Sequence, residues 1–347
     1  MADLIKGVLG GGWSLVVGWI LPVFVTLQLI TVLVLPTLPR SLAAYHQFEA
    51  ESGAEKQLTL LAVAAVAGLV LAACQAPLYR FLEGYSALWP PTVAERRINR
   101  HRARRARLVA TQQAISVTQW GVRSGLLYQR AGRYPASDRQ FAPTLLGNSI
   151  RRFETYAGDR FMMDSQLLWN DLAAAAPATA VDAVVKARAN VDFFVCMIYG
   201  AALTALAGAI VSASVHMSLR TGLAIGIGIA IIPLSYVLAV IATDEWDAAF
   251  RAVVDLGRAG VASAFGIPIP DNFDEERQMW RALNTLVRRP YSYSRTKDVA
   301  ALITMFRSTE QRTDMSMTSF TTTDALAEAS SSNSPSSSTS TGSAAGP

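Results

Sequence analysis

The sequence predicts an all-α protein that crosses a membrane four times and carries a helical unit on one side. Three observations predict it. Four long windows contain no Asp, Glu, Lys or Arg: Gly7 to Pro39, Gln57 to Tyr79, Phe193 to Val215 and Thr221 to Thr243. Each exceeds the roughly 20 apolar residues that a helix needs to span a bilayer. Seven arginines (Arg96, Arg97, Arg100, Arg102, Arg104, Arg105 and Arg107) fall within twelve positions directly after the second window. Over all 347 residues, apolar types make up 51% and charged types only 16%, with a mean hydropathy of +0.28.

In the first window the dense part runs from Trp13 to Leu38. A signal peptide competes with this reading, because Ser41-Leu42-Ala43 resembles a small-residue cleavage site. The apolar core of a signal peptide is only about 7–15 residues, so a retained span is expected. Pro22 is placed to kink it, and Trp13 and Trp19 suit the interfacial belt. A hydrophilic loop with Arg40, Glu49, Glu51, Glu55 and Lys56 follows. The second window then leads into a segment that mixes Tyr79, Phe81, Tyr85 and Trp89 with Arg80 and Glu83, as expected where a helix leaves the headgroup layer. These residues make up a first transmembrane pair, 1–91.

The arginine block fixes orientation, since cationic loops stay on the cytoplasmic side during insertion. Residues 92–192 are therefore expected in the cytosol, with both chain termini inside. Clustered arginine also suits nucleic acid, but its position beside a span favours topology and anionic lipid headgroups, with no nucleic-acid partner. Within the insert, Thr92 and Glu95 read as a capping box at the start of a helix to about Gln129. Shorter helices are expected from Leu145 to Tyr156 and from Asp164 to Ala175. Pro177 stops the last of these, and Thr179 caps a long helix that enters the third window. The third and fourth windows make a hairpin, 193–243, joined by the short turn around His216. A cytosolic helical segment follows over 244–310, broken at Gly266-Ile267-Pro268-Ile269-Pro270 and resumed from Asp274 to about Arg288. Residues 311–347 are rich in Ser and Thr and have too little apolar content to offset ordering entropy, so they read as a disordered tail.

Small residues recur every fourth position in three spans: Ala64, Gly68 and Ala72; Gly200, Thr204, Gly208 and Ser212; Gly222, Gly226 and Ala230. That spacing lets backbones approach closely, within one bundle or between copies of the chain. The absence of ionisable groups from the windows weighs against a proton-coupled carrier. Thr26, Gln28, Thr31, Gln75, Thr204, Ser212 and Ser235 remain as groups that line an ion path or bond to helix backbone. Nothing matches a nucleophile elbow, a phosphate loop, a zinc pair or a Cys/His dyad, so no enzyme, cofactor or metal is expected. Cys74, Cys196, His46, His101 and His216 are scattered. The acidic groups Glu154, Asp159 and Asp164 stand among Arg151, Arg152 and Arg160, an arrangement of helical charge pairs.

Pro143 to Leu172, PTLLGNSIRRFETYAGDRFMMDSQLLWNDL, resembles a motif of uncharacterised multi-pass bacterial membrane proteins, many actinobacterial, that reads roughly PTRLGN…R..E…..RYG.D.V..WPRL. Pro143, Thr144, Leu146, Gly147, Asn148, Glu154, Arg160, Asp164, Trp169 and Leu172 match it. Leu145 stands for an arginine, Phe161-Met162 for Tyr-Gly and Asn170-Asp171 for Pro-Arg. The resemblance extends loosely to the PLYRFLEGY segment and to Glu275, Glu276, Arg277 and Trp280, and it implies a bacterial cytoplasmic membrane. The layout is also similar to that of bestrophin-type anion channels, which implies an oligomeric pore as the alternative to a membrane scaffold or interaction protein that engages a cytosolic partner or its own copies.

Overall fold

The computed structural model describes residues 12–38, 52–85, 89–114, 121–215, 217–288 and 304. The N-terminal residues 1–11, the loop around His46, His216 and the Ser/Thr-rich tail lie outside the described residues. Every described element is helical, and four helices are long and apolar enough to cross a membrane. The described residues up to Val261 form one compact unit, and those from Ala262 a second.

In the first span, residues 12–15 are helical and a single π-turn, Val16–Ile20, follows before α1, Leu21–Leu33. Pro22 lacks an N–H and sits at the start of α1, so the widened turn falls where the regular hydrogen-bond ladder is interrupted. Trp13 is exposed, whereas Trp19 is buried against the neighbouring helices.

The second span is α2, Gly53–Ala73, and it starts with a capping box in which Ser52 and Glu55 satisfy each other's backbone N–H. The chain breaks at Cys74 and resumes as α3, Gln75–Glu83, instead of running on to Tyr79. Pro77 accounts for the break, because its ring would clash with the carbonyl of Ala73 four residues earlier. Gly84, at φ +91°, ends α3 in a left-handed conformation that costs glycine little.

The arginine-rich helix α4, Pro91–Ala114, starts with Pro91 at its first position, so Thr92 lies inside the first turn and does not cap it. The expected single helix to Gln129 is instead two, α4 and α5, Val122–Gly132, which pack on each other. The motif region follows as α6, Leu145–Glu154, α7, Tyr156–Phe161, and α8, Trp169–Ala175. The third span belongs to α9, Ala178–Ser214, which starts after Pro177; Thr179 is inside it and not at its cap. The fourth belongs to α10, Leu219–Ala264. At 37 and 46 residues, α9 and α10 measure about 55 and 70 Å, well beyond the roughly 30 Å of a hydrocarbon core.

Close approach through small residues holds the bundle together. A Cβ at Gly68 would meet Ile20 of the first span at 3.0 Å, and one at Gly200 would overlap Thr26. Gly208 faces Thr221, Ala224 and Ile225, and Gly228 faces Ala201 and Ala205, so α9 and α10 interlock from both sides. Gly226 has open space before it, and Gly222 meets only the end of Met217 at 3.9 Å. The intramolecular face of α10 thus runs through Thr221, Ala224 and Gly228, and the expected packing role of Gly222 and Gly226 is not one this chain fulfils within itself.

In the second unit, α11, Phe273–Arg288, follows the Pro268–Pro270 break. Asn272 accepts from the N–H of Asp274 at its start, and Trp280 and Leu283 are fully buried.

Candidate functional site

The motif residues build a joint between the end of the second span and the insert. The hydroxyl of Thr144 caps α6 by accepting from Gly147 N at 3.0 Å. Asn148, wholly buried, ties the preceding turn: its Oδ1 accepts from Ala142 N at 3.0 Å, and its Nδ2 donates to the carbonyls of Ala142 and Thr144 at 2.9 and 2.6 Å. Gly147 is required by proximity, because a Cβ there would lie 2.6 Å from the carbonyl oxygen of Glu83 and 2.9 Å from Ala142. Gly84 meets Pro143 equally closely. The hydroxyl of Tyr236, on α10, accepts from Leu145 N and Leu146 N at 3.1 and 3.2 Å and covers two open amides of the α6 terminus. Gly147 and Asn148 therefore act as architecture, joining α3, α6 and α10.

At this joint a small charge cluster gathers. Arg151 donates to Tyr85 Oη at 3.1 Å, lies 5.2 Å from that ring, and pairs with Glu154 at 3.7 Å. Burial, and then the neighbouring Glu154, push the Glu83 carboxyl up to about 7, against the pull of Arg151 and Arg80. Burial also raises Glu154, with Arg151 opposing.

A second ionic cluster joins the insert to the polar extension of α10. Arg133 grips Asp244 with Nη2 at 2.7 Å and Nε at 3.1 Å, and Gln129 adds a bond at 3.0 Å. Arg152 bonds Asp247 at 2.6 Å and approaches Asp244 at 3.7 Å, while Arg251 reaches the other oxygen of Asp247 at 2.8 Å. The side chain of Asp247 is only 5% exposed, so its charge depends on these two guanidiniums. Aromatic packing runs alongside: Phe153 lies 4.7 Å from Trp246 and 5.4 Å from Phe250, and Trp169 stacks on Phe250 at 5.3 Å. Gly257 and Gly260 let α8 lie against α10, facing Leu172 and Ala175. The sequence marks Asp244 and Asp247 only as the polar end of the fourth window, with no sign of their arginine partners; for Gly257 and Gly260 the three-residue spacing is the available signal.

Of the remaining motif residues, Asp164 accepts from Gln166 N and Leu167 N, both at 3.1 Å, and shapes the turn before α8. Arg160 lies 5.9 Å from the Tyr156 ring and 5.4 Å from the Phe161 ring. Glu276, matched in the looser part of the resemblance, accepts from Trp280 Nε1 at 3.1 Å.

The arginine block divides between two faces of α4. Half-buried positions Ala94, Ile98, His101, Arg105 and Leu108 recur at three- and four-residue steps and form the inner seam. Arg105 approaches Asp138 at 4.0 Å, and Arg102, at the seam's edge, donates to the Asp138 carbonyl at 2.8 Å. Arg97 lies over the Trp89 ring at 5.1 Å. Arg96, Arg100, Arg104 and Arg107 are exposed on the far side, where with Arg97 they make one cationic surface.

The polar groups of the spans mostly serve their own helices. Thr26 donates to Pro22 O, Thr204 to Gly200 O and Ser214 to Ile210 O. Gln28 instead bonds Gln57 across α1 and α2. Two cavities open along α1, α2 and α9: one of about 500 Å³ with almost wholly apolar walls, and one of about 270 Å³ lined in part by Ser14, Gln75, Arg188 and Asp192. Among the described residues, no group of three or more His, Cys, Asp or Glu is placed to hold a metal ion.

The class these features define is a helical protein with four candidate membrane spans and a packed helical unit on their polar ends. No family model, curated protein or solved structure matches the chain.

Proposed function

We propose that this chain is a non-enzymatic integral membrane scaffold or interaction protein of a bacterial cytoplasmic membrane. Both termini and the insert face the cytosol. Its working surface is the helical unit that α4 to α8 build on the extension of α10, and its partner is a cytosolic protein or further copies of the chain. The observation that carries this reading is the double attachment of the insert, through the Gly147–Asn148 joint and through the Arg133/Arg152/Arg251 cluster on Asp244 and Asp247. So many fixed contacts hold a surface in one shape, which recognition needs and a simple tether does not. The outer arginines of α4 supply attraction to anionic headgroups.

Crosslinking in native membranes, followed by mass determination of the purified assembly, tests the proposal. A homo-oligomer or a defined cytosolic partner crosslinked through the insert supports it; a monomer that captures nothing overturns it. The second reading, an oligomeric ion channel, draws on Gly222 and Gly226, which make no close approach within the chain and leave a small-residue face for another subunit. Absence of ion flux from reconstituted, correctly oriented protein removes it.

A further inference from the structure

The two cavities of the bundle lie on continuous faces of the same three helical segments. On α9 they are lined by Val185, Arg188 and Asp192, then by Cys196, Tyr199 and Leu203, a run of three- and four-residue steps that keeps to one side of the helix. Leu15 and Trp19 lead in the same way to Val23 and Leu27 in the first span; on the second, Ala72 in the lower cavity adjoins Leu71 in the upper, and Gln75 stands just past the break at Cys74. The upper cavity has the size of a single-ligand pocket, about 500 Å³ within a usual range of about 300–1,000 Å³.

Its polar atoms are already engaged. Thr26 Oγ1 donates to Pro22 O, Cys196 Sγ to Trp19 O and Tyr199 Oη to Leu78 O. A polar solute entering there would give up water and gain little, whereas hydrocarbon would gain dispersion contacts that an empty apolar space forgoes. The lower cavity is different. Arg188 stands at its mouth with its side chain 45% exposed, held by Gln75 at 2.8 Å; Asp192 is only 9% exposed and is engaged by Tyr79 Oη at 2.6 Å and by Arg188 at 3.9 Å. The accessible charge at the mouth is thus the guanidinium. From Arg188 to Leu203 the α9 axis rises about 22 Å, the thickness of one leaflet with its headgroups, about 20–22 Å.

We infer that this groove binds one phospholipid molecule, its phosphate at Arg188 and one acyl chain in the cavity between α1, α2 and α9. The inference rests on the reading that these helices cross a bilayer. A bound chain would complete the packing of the second span at Val70, which lines the cavity and is more than half exposed.

Native mass spectrometry of the full-length protein, released from mild detergent, tests the site with three probes. These are phosphatidylglycerol, diacylglycerol and glycerol 3-phosphate. The expected result is one retained phosphatidylglycerol per chain, diacylglycerol retained about tenfold less as one charge-assisted contact is lost, and no glycerol 3-phosphate. Arg188→Gln should bring phosphatidylglycerol down to the diacylglycerol level, and Ala67→Phe, which fills the cavity, should abolish both. Val70→Phe, on the same wall, replaces Ala67→Phe if that variant loses its helical circular dichroism or its elution position. Equal retention of the two lipids, binding of glycerol 3-phosphate alone, or retention unchanged in a folded cavity-filling variant overturns the proposal. Release of the protein from membranes by alkaline carbonate would instead remove the membrane reading beneath it.

Discussion

Asn148 shows how much a single side chain can hold. It satisfies one buried N–H and two buried carbonyls; truncation strands the N–H and C=O of Ala142, while the Thr144 carbonyl keeps the backbone N–H of residue 148. Each unmet buried group costs about 1–3 kcal/mol. Asn148→Ala should therefore lower stability by at least about 2 kcal/mol in denaturant unfolding in detergent, and Asn148→Asp, which keeps only the acceptor, should be nearly as harmful. Met162 offers the opposite case. It follows α7 at φ +59°, the one non-glycine described residue in the left-handed region. That conformation costs a side-chain-bearing residue about 1–2 kcal/mol. The resemblance pattern has glycine at this place. Met162→Gly should raise the unfolding midpoint by the equivalent of about 1 kcal/mol or less, since glycine also loosens the unfolded chain. A lowered midpoint would mean that the Met162 side chain contributes more than its backbone strain costs.

At the scale of elements, two joints attach the insert, and they differ in chemistry. The α3–α6 joint contains Glu83, whose carboxyl is pushed from 4.5 to about 7, chiefly by burial. Because the folded chain holds this proton more tightly than the unfolded one, stability falls as pH rises from about 4.5 to 7, and the loss is complete above 7. Glu83→Gln should stabilise the protein at pH 8, on the order of 2 kcal/mol, and change it little at pH 4.5. Thermal unfolding at the two pH values checks this; an equal effect at both would place Glu83 in an ordinary environment. The α6–α10 joint rests on ion pairs. Arg152→Leu leaves Asp247 with Arg251 alone, and should cost about 2–3 kcal/mol, under the roughly 3–5 kcal/mol of a fully buried pair because Arg152 remains 21% exposed. Asp247→Asn in that background should recover part of the loss.

These joints mark the limit of what the chain discloses in one dimension. The four spans were legible because a run without charge reports its own burial, whatever surrounds it. The break at Cys74 is not legible, although Pro77 marks it, because an unbroken apolar run does not show where its helix ends. The helix over Thr92 to Gln129 was overextended for a similar reason, with Gly121 passed over. Arg151 and Arg152 both pair with carboxylates, but local spacing points only to the Glu154 partner of Arg151. Asp244 and Asp247 lie about a hundred positions away, and only the return of α10 beside the insert brings them to Arg133 and Arg152. The small-residue pattern was informative about spacing but not about which face is used: Gly200 and Gly208 pack within the bundle, while Gly222 and Gly226 do not.

For the whole molecule, the account depends on how the chain is threaded. Helices α9 and α10, at 37 and 46 residues, are longer than a hydrocarbon core is thick; on the proposed reading the excess lies at the end where the insert packs. Thiol labelling measures this threading directly. In a Cys74→Ser, Cys196→Ser background, single cysteines are placed by Arg104→Cys and Met217→Cys, and intact cells are treated with a membrane-impermeant maleimide. The account predicts that the cysteine at 217 is labelled at once and the one at 104 only after permeabilisation. Labelling at 104 in intact cells, with 217 protected, would contradict it.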